Sequence, residues 1–152
     1  MKIVPSEDLV ALLRQFVASV AQVRGVALVS ADGIPTADHG LDPAAADTLA
    51  ATATGLWSLT RHAGEAFDGS TKVRQVAAEL DTSTLFVIAA AEGSRLAVLA
   101  DRTAHPDAVA YEMGMLTTKL GAHLATASRQ HEAASPDPTR PDPMRPDPTS
   151  AA

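Results

Sequence analysis

The sequence predicts an α+β domain in which a five-stranded antiparallel sheet carries helices on both faces. Apolar residues recur at helical spacing near the start, in the middle and towards the end of the chain. Two short strand-like runs, and later three more, lie between these helices. The connections between consecutive strand-like runs are short, so the neighbours must pair antiparallel. The predicted order is therefore helix, two strands, helix, three strands, helix, which is a layered α+β arrangement.

The first helix is predicted to begin after Ser6, which can cap its free amide groups. Glu7 and Asp8 suit the positive end of the helix dipole. Gly25 is predicted to end the helix. One stripe of the helix is apolar and would face the sheet; it consists of Leu9, Leu12, Leu13, Phe16, Val17 and Val20.

Two strands, at 26–30 and 34–38, are predicted on either side of Asp32 and Gly33. Asp-Gly is a preferred pair for the positive-φ positions of a tight hairpin turn. It could also belong to a ligand-binding loop, but the surrounding strands favour the turn. Pro35 cannot donate to a strand ladder, so the second strand is predicted to lie at an edge.

The second helix is predicted over 43–67, with Asp42 as its cap and Pro43 at its first position. Ala, Thr, Ser and Gly dominate it. Such small residues either allow close approach by two layers or reflect a composition rich in Ala. The few large side chains in its centre are Leu49, Leu56, Trp57 and Leu59.

Three further strands are predicted at 72–80, 84–91 and 95–100. The middle one is apolar on both faces and should be central, whereas the first is mixed and charged, as is typical of an edge. A third helix is predicted from His105 to about Ser128. The domain is thus assigned to residues 1–130.

Residues 131–152 are predicted to form a separate tail. They contain the imperfect repeat PDPTR, PDPMR, PDPTS and most of the ten prolines. Such a segment buries too little apolar surface to offset its ordering entropy, so we expect it to be disordered or extended. A linker, a docking peptide and an idle solvated tail all fit this composition.

The composition excludes several kinds of function. A net charge of −6 without a basic run argues against nucleic acid as a partner. The chain has no Cys, and its five histidines lack zinc-site spacing. The segment GEAFDGST has the spacing of a phosphate loop, but Ser70 stands where the Lys belongs, and it runs from a helix into a strand. We therefore predict no catalytic, cofactor-binding or metal-binding residues.

Neither a signal peptide nor an apolar run long enough to span a membrane is found in the sequence. The expected location is therefore the cytoplasm, with recruitment to the membrane only through a partner.

Three strings, VRGVALVSADGIPTA, VRQVAAELDTSTLFVIAAAEGSRLAVLAD and YEMGMLTTKLGAHL, resemble the roadblock (dynein light chain-like) family. They are most similar to its actinobacterial members from conservon operons, and the resemblance covers roughly residues 6–129. It implies a profilin/longin-like sheet of order 2-1-5-4-3, with the first and third helices on one face and the second on the other. It also implies a homodimer formed through the third strands and second helices. Bacterial relatives regulate small Ras-like GTPases, and conservon members accompany a sensor histidine kinase.

The resulting functional hypothesis is a non-enzymatic, dimeric regulatory scaffold for a small Ras-like GTPase, in a complex with a sensor histidine kinase. Stimulation of GTP hydrolysis in the partner is left open. The alternative is a small-molecule-sensing profilin-like domain. The predicted dimer or partner surface consists of Leu49, Leu56, Trp57, Thr60, Arg61, Val73, Arg74 and Gln75.

Within that surface, Leu49 and Leu56 fit the core equally well. Trp57 is the favoured interface anchor, because a lone Trp among small residues often serves as one. Arg61, Arg74 and Arg95 could donate positive charge to a partner or could simply be solvated.

Overall fold

The computed structural model describes residues 6–134. Its helices and strands follow the predicted order. They are α1 (Glu7–Ser19), β1 (Val23–Val29), β2 (Pro35–His39), α2 (Pro43–Asp68), β3 (Gln75–Glu79), β4 (Ser83–Ala89), β5 (Arg95–Asp101) and α3 (Pro106–Ala134).

The five strands form one sheet of order β2-β1-β5-β4-β3, and every neighbouring pair is antiparallel. This confirms the predicted α+β class and strand order. The strand that contains Pro35 lies at one edge and β3 lies at the other, as predicted. β4 is central and mostly buried.

Alternation along the strands divides the interior into two cores. On β1, Val26 and Leu28 face the core formed with α1 and α3. Ala27 and Val29 face α2 on the opposite side. Four of the nine buried residues in the core on the α2 side are alanines, and they come from both layers: Ala27, Ala50, Ala53 and Ala97. The small residues of α2 therefore allow it to lie close to the sheet.

Two side-chain caps define the starts of helices as predicted. The Ser6 hydroxyl accepts a hydrogen bond from the Leu9 amide at 3.2 Å. Oδ1 of Asp42 accepts one from the Ala45 amide at 2.7 Å. α2 ends at Asp68, and the amide of the capping Gly69 donates to the carbonyl of Gly64. The GEAFDGST segment is thus a helix terminus.

The predicted end of the first helix was wrong. α1 ends at Ser19, and Gln22 turns the chain with a φ of 68°. Gly25 instead lies buried within β1, beside a shift in the β1–β5 register. A Cβ there would lie 2.6 Å from the Leu41 side chain. Gly25 therefore marks a strand irregularity at a close contact with Leu41. Both are common reasons for a glycine within a strand.

Other boundaries shifted by a few residues. β3 is shorter than predicted, because only residues 75–79 pair with β4. α3 continues to Ala134, beyond both its predicted end at Ser128 and the predicted domain boundary at 130. Residues 131–134 are therefore helical instead of belonging to the tail. The remainder of the predicted tail, 135–152, lies outside the described residues.

Candidate functional site

A second stripe on α2 lies beside the stripe that packs on the sheet. The buried stripe contains Ala46, Leu49, Ala50, Ala53 and Trp57. The second stripe recurs every three to four residues on the flank towards β3 and consists of Thr48, Thr52, Leu56, Thr60, Ala63 and Phe67.

This flank of α2 is apolar despite its threonines. The hydroxyls of Thr48 and Thr60 donate to the carbonyls of Ala44 and Leu56 within the helix, so their polar groups are already satisfied. Phe67, at the end of the stripe, is 87% exposed. Leu59, on the neighbouring outer side of α2, is 69% exposed. Large apolar groups exposed to this extent on one helix indicate an interaction surface.

The edge strand β3 borders this flank. Its outer side has no neighbouring strand among the described residues. Val76 and Ala78 are half-buried against the α2-side core, whereas Gln75, Ala77 and Glu79 are exposed. We call β3 together with the second stripe of α2 the α2–β3 surface. Two grooves of about 460 Å³ lie along it, one near Leu80 and one near Phe67.

The structure separates the eight residues predicted for the interface. Leu49 and Trp57, only 6% and 7% exposed, pack on the sheet. Trp57 therefore packs in the α2-side core of the single chain, and its role as an interface anchor stays a prediction. It shares the helical phase of Ala53 and Ala50, and that face of α2 meets the sheet. Leu56 is half-buried beside this core.

The remaining predicted residues fall into two places. Thr60 and Gln75 belong to the α2–β3 surface, and Val73 and Arg74, which directly precede β3, line the groove near Phe67 together with them. Arg61 lies outside that groove and lines a different cleft, at the end of the sheet. The predicted interface did not include Phe67 or Leu80, which line the two grooves. The spacing of three to four residues from Thr48 to Phe67 could have indicated Phe67. It carried no information about Leu80, which lies outside α2.

The cleft that contains Arg61 has a volume of about 420 Å³. We call it the basic cleft, because its lining includes three cations and no carboxylate. Arg61 comes from α2, Lys72 from the segment before β3, and Arg95 from the start of β5. None of the three forms an ion pair within residues 6–134.

Arg95 is held in place by two contacts. Its Cζ lies over the indole ring of Trp57, 5.9 Å from the ring centroid. Nη1 donates to the carbonyl of Ala31 at 3.5 Å. Its Nε is buried and is the one buried side-chain nitrogen or oxygen in the described part of the chain without a partner. An unsatisfied buried donor costs about 1–3 kcal/mol.

The Asp32–Gly33 segment forms the turn between β1 and β2. The Gly33 amide donates to the Ser30 carbonyl at 3.0 Å, and the Ser30 amide donates to the Ile34 carbonyl at 2.9 Å. Gly33 has a φ of 84°, whereas Asp32 has no positive φ. The expectation of two positive-φ positions is thus corrected to one, which is the pattern of a turn that ends in a left-handed glycine.

Between residues 6 and 134, no three His, Asp or Glu side chains cluster in a way that could hold a metal ion. The helices of that region are all too short or too polar to cross a bilayer. The fold and its exposed groups define an α+β sheet domain whose distinctive features are an apolar surface and a basic cleft.

Comparison with known proteins identifies the family. The model of the Roadblock/LC7 domain matches residues 9–100. The chain belongs to the Roadblock/LC7 domain family, which confirms the resemblance at family level. A comparison with curated proteins gave no match.

Two solved Roadblock/LC7 domains from Streptomyces avermitilis are similar to this chain. The first is 43% identical with a TM-score of 0.73, and the match covers 76% of this chain and 97% of the other. The second is 33% identical with a TM-score of 0.62 and coverages of 75% and 99%. MglB of Myxococcus xanthus shares the fold at 15% identity, with a TM-score of 0.70 and coverages of 79% and 97%.

Proposed function

We propose that this protein is a homodimeric, non-enzymatic scaffold that regulates a small Ras-like GTPase in the cytoplasm. The observation that carries the proposal is the α2–β3 surface, where a free sheet edge adjoins a helix flank with an exposed Phe67. An unpaired edge strand is a template for pairing with another chain. A second copy of this chain would pair with the free backbone groups of β3 and cover the apolar flank of α2 at the same time.

The charges around β3 favour self-pairing in the antiparallel direction. Lys72 and Arg74 precede the strand, and Glu79 and Asp81 lie at and beyond its end. A two-fold axis through the middle of β3 places the basic end of one strand beside the acidic end of its copy. Opposite charges on neighbouring strands are stabilising. The same axis stacks the second stripe of α2 on its own copy, as an isologous dimer requires.

The GTPase and the kinase are proposed as partners because of the family. Membership in the Roadblock/LC7 family supports a regulatory role, and the resemblance to conservon members suggests a sensor histidine kinase in the same complex. One solved structure with this fold is described as MglB with a tetrameric arrangement, which fits self-association of the fold. Recruitment to the membrane, if it occurs, is proposed to depend on the partner.

Molecular mass measured by light scattering tests whether the apolar flank of α2 holds a dimer together. We expect the native chain to have twice its monomer mass of 15.7 kDa at micromolar concentration. Phe67→Glu places a charge in the covered flank and should give a monomer. Tyr111→Glu is the matched control, because Tyr111 is 67% exposed on α3, away from the α2–β3 surface, and should leave the dimer intact. A native monomer contradicts the proposal.

Charge reversal tests the strand pairing. Arg74→Glu alone, or Glu79→Lys alone, opposes like charges across the two-fold axis and should weaken the dimer about tenfold. The double variant exchanges both signs and should recover most of that loss. Sedimentation at several protein concentrations measures the dissociation constants. If the double variant lost as much dimer affinity as the two single variants combined, antiparallel pairing of β3 would be excluded.

A pull-down tests the GTPase partner. The native protein is mixed with a small Ras-like GTPase that is loaded with GDP or with a GTP analogue. We expect retention in one nucleotide state above the other, because a regulator must distinguish them. Absence of binding in both states contradicts the regulatory proposal and favours the alternative, a small-molecule-sensing domain. The observation that supports this alternative is the basic cleft.

A further inference from the structure

We propose that the basic cleft binds a small phosphate-bearing ligand. This inference goes beyond the scaffold function. The cleft is formed by a single chain, although two of its lining residues, Lys72 and Val73, also line the groove near Phe67. Its walls come from α2, from the segment before β3, from the β1–β2 turn and from the β4–β5 connection.

Hydrogen-bond donors from three separate parts of the chain converge on the cleft. The cations are Arg61, Lys72 and Arg95, and the hydroxyls of Thr71 and Ser94 also belong to its lining residues. Because no carboxylate lines the cleft, the positive charges are left for a ligand to neutralise.

Arg95 is prepared to recognise an oxyanion. Its contact with Trp57 and its long, 3.5 Å hydrogen bond to the Ala31 carbonyl both favour the orientation of the guanidinium seen in the structure. The buried Nε still lacks an acceptor. A guanidinium presents its donors as a planar fork that matches two oxygens of a phosphate or carboxylate. An oxyanion in the cleft would bind the exposed part of the Arg95 guanidinium, whereas Nε itself is covered by the protein.

Charge and size favour phosphate over a simple carboxylate. A phosphate monoester carries about −1.5 to −2 charges at pH 7 and offers three acceptor oxygens, which suits three cations and two hydroxyls. The cleft volume of about 420 Å³ is within the range of small-molecule sites. Val73 and Ala89 supply apolar wall beyond the charged groups, so room remains for the organic part of an ester.

Trp57 provides a local readout, because it is the only Trp in the chain and lies under Arg95. Inorganic phosphate is titrated into the native protein at constant ionic strength while Trp57 fluorescence is recorded. We expect a saturable change with a dissociation constant on the order of 1 mM. Sodium chloride should give no saturable change. Acetate should bind at least about fivefold more weakly, since it carries a single charge.

Variants locate the binding. Arg61→Gln combined with Lys72→Gln should weaken phosphate binding about tenfold or more. Both residues are exposed, so these changes should preserve the fold. Arg14→Gln, an exposed cation on α1, is the control and should bind phosphate like the native protein. Arg95→Lys keeps the charge but removes the fork, and should also weaken binding.

Four results would overturn the proposal. They are no saturable response to phosphate, equal affinity for acetate, an equal loss in Arg14→Gln, and native affinity in the Arg61→Gln, Lys72→Gln variant. Circular dichroism verifies that each variant is folded, and Lys72→Gln alone serves if the double variant unfolds. Light scattering on the same samples separates this proposal from the dimer: phosphate binding by a monomer supports the cleft and contradicts only the dimer.

Discussion

The guanidinium of Arg95 lies over the indole ring of Trp57, with Cζ 5.9 Å from the ring centroid. This contact joins the start of β5 to the middle of α2. It also covers part of a side chain whose other contacts are with the sheet. Trp57 therefore supports the α2-side core and positions Arg95 in the basic cleft.

Replacing Trp57 by Ala should destabilise the protein strongly. The change removes a large buried side chain from the α2-side core, and such truncations cost about 3–5 kcal/mol. Tyr111→Ala is the control, because Tyr111 is exposed on α3 and its loss should change stability by about 0.5 kcal/mol or less. Urea unfolding, followed by circular dichroism, measures both. Similar losses in the two variants would contradict the core assignment of Trp57.

A side chain at position 40 should not be tolerated. Gly40 has a φ of 79°, and a Cβ there would lie 2.5 Å from the carbonyl oxygen of Arg24. Gly40→Ala should therefore cost at least about 1–3 kcal/mol through backbone strain. Gly114→Ala in α3 meets nothing within 4 Å and should stabilise the protein by about 0.5–1 kcal/mol. Thermal unfolding should move the two midpoints in opposite directions.

The cap of α2 depends on the side-chain oxygen of Asp42. Asp42→Ala leaves the Ala45 amide without its 2.7 Å partner and should cost about 1 kcal/mol. Asp42→Asn retains a capping oxygen and should cost much less. Urea midpoints of the two variants provide the comparison. If Asn were as damaging as Ala, the cap would not be the reason for the loss.

The Arg24–Asp101 ion pair should contribute little. Both side chains remain about two-fifths exposed, at 42% and 40%, so water and salt screen their attraction. Asp101→Asn should cost less than about 1 kcal/mol. The difference from the native protein should shrink in 1 M salt. A larger loss that is independent of salt would show that Asp101 acts through something other than charge.

Much of the fold could be predicted from local patterns. Ser6 and Asp42 are side-chain caps, and Pro35 lies in an edge strand, because each property follows from the chemistry of one residue. Gly25 could not be assigned in the same way. A glycine can end a helix or sit in a strand irregularity, and only the close contact with Leu41 distinguishes the two.

The candidate site was predicted less completely. Of the eight residues predicted for the interface, Thr60, Val73, Arg74 and Gln75 line the groove near Phe67. The dimer that would use this groove remains a prediction. Arg61 is predicted on the same surface, as a residue of the second helix. One helical step of about 100° moves its side chain to another side of α2, where it meets Lys72 and Arg95 in the cleft.

The sequence by itself determined the element order and the antiparallel pairing of consecutive strands, because periodicity, caps and short connections act within a few residues. The family followed from the resemblance of three strings of the sequence. Only the tertiary structure decided that Trp57 is covered, that Phe67 is exposed and that three cations from separate elements share a cleft. Burial and convergence depend on which face of α2 the sheet occupies, and that choice is made by the packing of both layers together.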